Sequence, residues 1–369
     1  MNLGRRWSVP ALGLAAAVLF GYVVTHRYHV DEPAPPPSAA PAPAGLPRVT
    51  GDRAAGPDGL RVLVSGGHPQ VLDTATGRAT AVAGLRLAAG ERVRLRPVPA
   101  GTVATVTAPA TSRTRTVLLP RGGGRPVLLG EDVDVVPALR GTDLYVSSQG
   151  PGGTSVLVTE RTGAVRAYWA QPGKLTLLRD TAAGLVASQR GAVQGTELRL
   201  LDPRTGAERR RLATGRIVLA AGPISVAHVS GSCSRDCPVT VTPLAGGRPR
   251  DYSLPAGAGI PAAGEFSPDQ RWLALAVPGQ YRNGRLTVVP GFAQVLDLRT
   301  GAVTRVPGVQ TAAERRPDVG WYGDVLVLGV WSARRGQLAV WSPHRPASLQ
   351  VLPAEPPGDD RFAAATVLP

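Results

Sequence analysis

From about residue 60 onward, apolar residues come in short runs, each ended by Gly, Pro, Asp or a polar pair. Runs this short predict strands joined by turns and not long helices. The pattern is clearest in VLDLRTGAVTRV, residues 295 to 306. Val295 and Asp297 alternate with Leu296 and Leu298, although imperfectly. Asp297 is placed to accept turn amide hydrogens, and Gly301 can take the positive φ that ends a short loop. Thr300 and Val303 are β-branched and suit the flanking strands, so the segment predicts a hairpin.

Near-copies stand at 71 (VLDTATGRATAV), 157 (LVTERTGAVRAY) and 200 (LLDPRTGAERRR). Their glycines are Gly77, Gly163, Gly206 and Gly301; the shortest gap is 43 residues and the others are near twice it. Weaker copies fill the gaps: VLLPRGGGRPVLL offers Gly123, VTPLAGGRPRDYSL offers Gly247, and LAVWSPHRPASLQVL places Arg345 near the glycine position. Seven units result. Upstream of the hairpin, AGEFSPDQRWLALAV (263–277) predicts a further pair of strands, with Ser267, Pro268 and Asp269 turning the chain before Trp272 to Val277. A repeat of about 40 to 45 residues with four strands is the mark of a β-propeller blade.

FSPDQRWLALAV followed by VLDLRTGAVTRV resembles the blade of the TolB-like and WD-repeat-like bacterial propellers, which carry FSPDG, an apolar strand, then an Asp-x-x-Thr-Gly hairpin. Gln270 stands where that pattern has Gly. The resemblance implies an all-β, seven-bladed β-propeller of four-stranded antiparallel blades over residues 60–369. Quinoprotein propellers share the Asp-x-x-Thr-Gly hairpin but follow it with a docking Trp four residues after the Gly. Ala81, Ala167, Arg210 and Arg305 occupy those positions and argue against quinone binding; no cofactor is expected. The first unit shows three strands, and the run RFAAATVLP (361–369) is left over. The tail is therefore expected to supply the innermost strand of the first blade and close the ring.

Ahead of the repeats, WSVPALGLAAAVLFGYVVT (7–25) carries no charge over 19 positions. At about 1.5 Å per residue it nearly crosses a hydrocarbon core of about 30 Å. Arg5 and Arg6 precede it, so residues 1–6 are expected in the cytoplasm, with a transmembrane signal anchor at 7–25. A cleaved signal peptide is the rival, but Thr25, His26, Arg27 and Tyr28 lack the small-x-small site a signal peptidase needs. Residues 26–59 are rich in Pro and Ala and read as an extended linker holding the repeats outside the membrane.

The net charge of +15 comes almost wholly from Arg, since Lys174 is the single lysine. That skew, with so much Ala, Gly, Pro and Val, matches a high-GC genome such as an actinobacterium's. It argues for a solvated surface over a nucleic-acid partner. Cys233 and Cys237, with three residues between them in an exported chain, are expected to form one disulfide; a redox pair and half a metal site are the alternatives.

No GxSxG, HExxH, GxxxxGK or EF-hand loop occurs. His68, His228 and His344 fall in three distant units, and Glu131, Asp132 and Asp134 read as a solvated turn, so neither a catalytic nor a metal site is expected. Trp272, Trp331 and Trp341 lie in predicted strands and are expected to fill gaps between blades. Trp321, Tyr322, Arg334 and Arg335 remain as candidate partner-binding residues. The reading is a membrane-anchored, extracytoplasmic, non-enzymatic binding or scaffold module. Its partner would be another envelope protein or peptide, or an anionic wall polymer. The alternative is an extracytoplasmic hydrolase, lyase or quinoprotein-like enzyme with a site at the propeller channel.

Overall fold

The computed structural model describes residues 47–109, 111–190, 196–214, 216–230, 238–256, 259–282, 287–332, 336–353 and 364–368. The expected anchor at 7–25, the Cys233–Cys237 pair, and Arg334 and Arg335 lie outside the described residues.

Among the described residues, seven blades of four antiparallel strands follow one another along the chain, the seventh carrying one added strand. Blade one combines Arg61–Val64, Gln70–Asp73 and Ala79–Ala81 with the carboxy-terminal strand Ala365–Val367. Blades two to five are sequential: they start at Arg92–Val98, Val133–Pro137, Leu175–Thr181 and Arg216–Ala221, and in each the four strands pair neighbour to neighbour in chain order. Blade six consists of Ala263–Phe266, Trp272–Val277, Phe292–Asp297 and Val303–Arg305, with the hairpin Gln280–Arg282 and Thr287–Val289 inserted between its second and third strands. Blade seven consists of Asp318–Tyr322, Val325–Trp331, Gly336–Trp341 and Leu349–Val351. The expected seven-bladed, all-β architecture is what the chain forms.

The middle strands carry the core, because they are covered on both faces by neighbouring blades. Every residue of Phe292–Asp297 is buried, and so are five of the six in Trp272–Val277, whereas the outermost strand Val303–Arg305 is not. A strand buried on both faces reads as a continuous apolar run, which is why the alternation around Val295 is imperfect.

The hairpins form as their sequences dictate. Asp297 Oδ1 accepts the amides of Arg299 at 2.8 Å and Thr300 at 3.3 Å; Asp73 and Asp202 make the same pair of bonds in their own turns. Gly77, Gly163, Gly206 and Gly301 all have φ between 70° and 87°. Gly206 has a second reason to lack a side chain, since a Cβ there would lie 2.4 Å from the Trp169 ring of the preceding blade. Gln270, at the position where the FSPDG pattern has Gly, takes the left-handed conformation (φ 60°), and its Nε2 donates to Ser267 O at 2.8 Å.

The ring closes through its last strand, as the leftover run predicted. Ala365, Thr366 and Val367 pair antiparallel with Val64, Leu63 and Val62. The amino-terminal side adds a second fastening on the linker side of the composition boundary at residue 59. Arg48–Val49 pairs with Val309–Gln310, and Asp52–Arg53 runs parallel to Leu349–Val351 as a fifth strand of blade seven. Gly51 lies between them, where a Cβ would meet Leu349 O at 2.1 Å.

Trp331 and Trp341 are buried among blades, as expected, while Trp272 is half-buried with the Arg271 guanidinium 4.5 Å over its ring and His344 edge-on to it. Among the described residues no helix is long and apolar enough to cross a membrane.

Candidate functional site

The innermost strands of the blades surround a channel, and this is where charged side chains from distant repeats meet. Its wide mouth is a cavity of about 680 Å³ bordered by Arg179, Glu265, Phe266, Tyr322 and Leu368. A narrower part of about 170 Å³ is bordered by Arg94, Glu265, Arg316, Asp318 and Thr366. Glu265, Ala365 and Thr366 border both, so the two are adjacent along the channel.

The acids there have different environments. Asp318 Oδ2 accepts the Trp331 indole N–H at 2.5 Å and the Ala365 backbone N–H at 2.8 Å, which makes it a structural tie. Burial still raises its pKa above the ordinary carboxylate range, against the pull of those donors and of Arg316 and Arg94. Asp180, on the innermost strand of blade four, is also a tie: its Oδ2 accepts from Leu139 N at 2.8 Å and from the Tyr145 hydroxyl at 3.3 Å.

Glu265 has no such role. Its side chain is exposed to the channel, yet protein encloses it from most directions. Water confined there does not solvate a charge as bulk water does, and burial pushes the carboxyl up to about 7, with Arg179 offsetting only part. A carboxyl poised near neutrality in a cavity is the kind of group that exchanges protons with a ligand.

Of the residues nominated from sequence, Trp321 and Tyr322 border the wide mouth. Trp321 is buried, and its indole N–H donates to Glu265 O at 3.0 Å, so it helps hold the strand that carries Glu265. The Tyr322 hydroxyl donates to Asp58 O at 3.0 Å. The strand Val325–Trp331 starts beside Tyr322 and ends just ahead of Arg334 and Arg335 in sequence. His68 and His344 sit in turns of blades one and seven, while His228 is buried within blade five, its Nε2 3.0 Å from Thr242 Oγ1. Asp132 is a turn residue whose Oδ1 accepts from Thr114 N at 2.8 Å. Among the described residues no group of three His, Cys, Asp or Glu side chains is arranged to hold a metal.

Sequence reasoning did not find Arg94, Arg179, Glu265, Arg316 or Asp318. They come from four repeats, Arg94 from the second, Arg179 from the fourth, Glu265 from the sixth and Arg316 with Asp318 from the seventh, and only ring closure brings them together. The available signal was a charge on a strand at the start of a unit, as in RVRLRPV (92–98) and AGEF (263–266).

No family model and no curated protein sequence matches the chain. Solved structures do. Prolyl oligopeptidase B from Galerina marginata aligns at 10% identity and a TM-score of 0.56, over 79% of this chain and 48% of that one. A putative 6-phosphogluconolactonase from Bacteroides fragilis aligns at 12% identity and 0.53, over 86% of this chain and all of that one. TolB from Acinetobacter baumannii aligns at 13% identity and 0.48, over 85% and 67%. The two alignments with a TM-score above 0.5, at 10% and 12% identity, show a likeness of fold alone.

Proposed function

We propose that this chain is a β-propeller held on the extracytoplasmic side of the cell membrane, where it serves as a non-enzymatic protein- or ligand-binding module of the envelope. Residues 1–6 would be cytoplasmic, 7–25 the anchor and the proline-rich stretch the spacer. The observation that carries the reading is the double fastening of the ring. Strand 365–367 closes blade one, and residues 48–53 are bound to the rims of blades six and seven. A ring fixed at both ends presents its connecting loops on a rigid base, and preordered loops lose little entropy on binding.

The partner in this reading is another envelope protein or peptide, with an anionic wall polymer as the other candidate for an arginine-rich surface. Trp321 and Tyr322 at the wide mouth, and Arg334 and Arg335, are the proposed contacts; a Cys233–Cys237 disulfide would staple the loop of blade five. Alkaline phosphatase fused after residue 369 tests the topology, since it is active only outside the cytoplasm. A photo-crosslinking residue at Tyr322 tests the contact. Phosphatase activity and one envelope adduct absent from a probe at Arg78 are expected; an inactive fusion, or adducts equal at both sites, would overturn the reading.

Glu265 favours a second reading, an enzyme with its site in the channel, because a carboxyl near pH 7 beside a cavity of about 680 Å³ suits general acid–base work. It would require an activity that Glu265→Gln removes without unfolding the ring.

A further inference from the structure

Arg94 from blade two and Arg316 from the approach to blade seven border the same narrow cavity of about 170 Å³. Two more guanidinium groups belong to the innermost strands. Arg96 Nη1 donates to Val135 O at 2.7 Å, and Arg179 Nη1 donates to Ala221 O at 3.2 Å. These bonds orient the two groups without neutralising them. Burial, and then the charge of Arg94, lowers the pKa of Arg96, while Asp134 offsets part of the effect.

Among the described residues, no carboxylate comes within 4.0 Å of any of these four guanidinium groups. That differs from the outer surface, where Arg199, Arg209 and Arg166 pair with Glu197, Asp202 and Glu160. The channel acids do not fill the gap. Asp318 feels the charge of Arg316 and Arg94 but spends its Oδ2 on Trp331 and Ala365, and Glu265 carries only part of a charge at neutral pH. Like charges facing one confined passage repel even where water reaches them, and a bound anion relieves the repulsion.

We propose that the narrow part of the channel binds a small oxyanion between Arg94 and Arg316, entering by the wide mouth. The chemistry required is a compact group with two or more oxygens that accepts guanidinium hydrogen bonds, as a phosphate-like tetrahedral anion or a small carboxylate does. The proposal does not depend on the envelope reading above, since it concerns only the ring.

Proton coupling follows from the position of Glu265. Its carboxyl borders the same cavity, faced by Arg94, Arg179, Arg316 and Asp318, and an anion there favours its protonated form. Affinity should therefore fall as pH rises through neutrality.

Isothermal titration of the full chain in mild detergent tests this, with sulfate and acetate as probes in separate arms because neither titrates between pH 6 and pH 8. Saturable binding of sulfate, weakened about tenfold or more in Arg94→Gln and in Arg316→Gln but unchanged in Arg78→Gln, is expected for a tetrahedral-anion site. The same pattern with acetate alone would assign the site to carboxylates. Affinity should drop between pH 6 and pH 8 in the wild type and stay level in Glu265→Gln. Binding of neither probe, or equal weakening by the blade-one control, would overturn the proposal. Thermal melts of each variant keep loss of fold separate from loss of the site.

Discussion

Asp318 Oδ2 accepts the backbone N–H of Ala365 at 2.8 Å, which ties the innermost strand of blade seven to the strand that closes the ring. The Trp331 indole N–H reaches the same oxygen. Asp318→Ala leaves both donors without their acceptor, and is expected to destabilise the ring by about 3 kcal/mol. Asp318→Asn keeps an acceptor oxygen and should lose about 1 kcal/mol. Guanidinium midpoints at constant slope measure the difference.

Removing residues 365–369 tests closure itself. It uncovers the edge of Arg61–Val64 and removes Ala365 and Val367 from the apolar cluster around Val62, Val64 and Leu338. An exposed edge pairs with other chains, so self-association by light scattering and a lower denaturation midpoint are expected. A monomer as stable as the intact chain would show that the ring closes without this strand.

The repeat was legible because its determinants are local. An Asp, a Thr and a Gly within five residues fix three of the four clear hairpins, with Thr159 at the Asp position of the fourth, and Asp297 and Gly301 do what their spacing implies. The closing strand was legible by elimination, since blade one was one strand short. What was not legible is nonlocal. Gly51 is a glycine because of Leu349 O, and the two-residue strands beside it carry no periodicity of their own. Arg94 and Arg316 look like ordinary polar positions until ring closure places them on one cavity.

The hairpin glycines separate backbone conformation from packing. At Gly77 (φ 70°) a Cβ would meet nothing within 4 Å, so Gly77→Ala carries only the left-handed strain of about 1 kcal/mol. At Gly206 (φ 72°) the added carbon would also fall 2.4 Å from the Trp169 ring. Gly206→Ala is expected to lose about 3 kcal/mol, the excess being overpacking between blades. Equal losses in the two variants would mean that Trp169 moves aside freely.

The turn aspartates should rank by burial. Asp297 is 5% exposed, accepts two amides and has Arg271 Nη2 3.6 Å from its carboxylate. Asp297→Ala should lower stability by about 2 kcal/mol. Asp73→Ala, in an open turn with the same two bonds, should have the smaller effect in the same unfolding assay.

Glu265 makes stability depend on pH in the sense opposite to a salt-bridged acid. Its carboxyl titrates near 4.5 in the unfolded chain and near 7 in the ring. Between those values the folded form holds a proton that the unfolded form has released. Raising the pH through this window therefore draws the equilibrium toward unfolding, and the dependence levels off above about pH 7. Channel water reaches the side chain and moderates the effect. A loss of about 1 to 2 kcal/mol between pH 5 and pH 8 is the discounted expectation. Glu265→Gln cannot titrate and should remove that component. The difference between wild type and variant isolates it from Asp318, whose pKa is also raised and which both proteins retain. Urea unfolding of both proteins at pH 5, 6, 7 and 8 measures it. A wild type that gains stability toward pH 8 relative to the variant would mean that Arg179 controls the carboxyl more strongly than burial does.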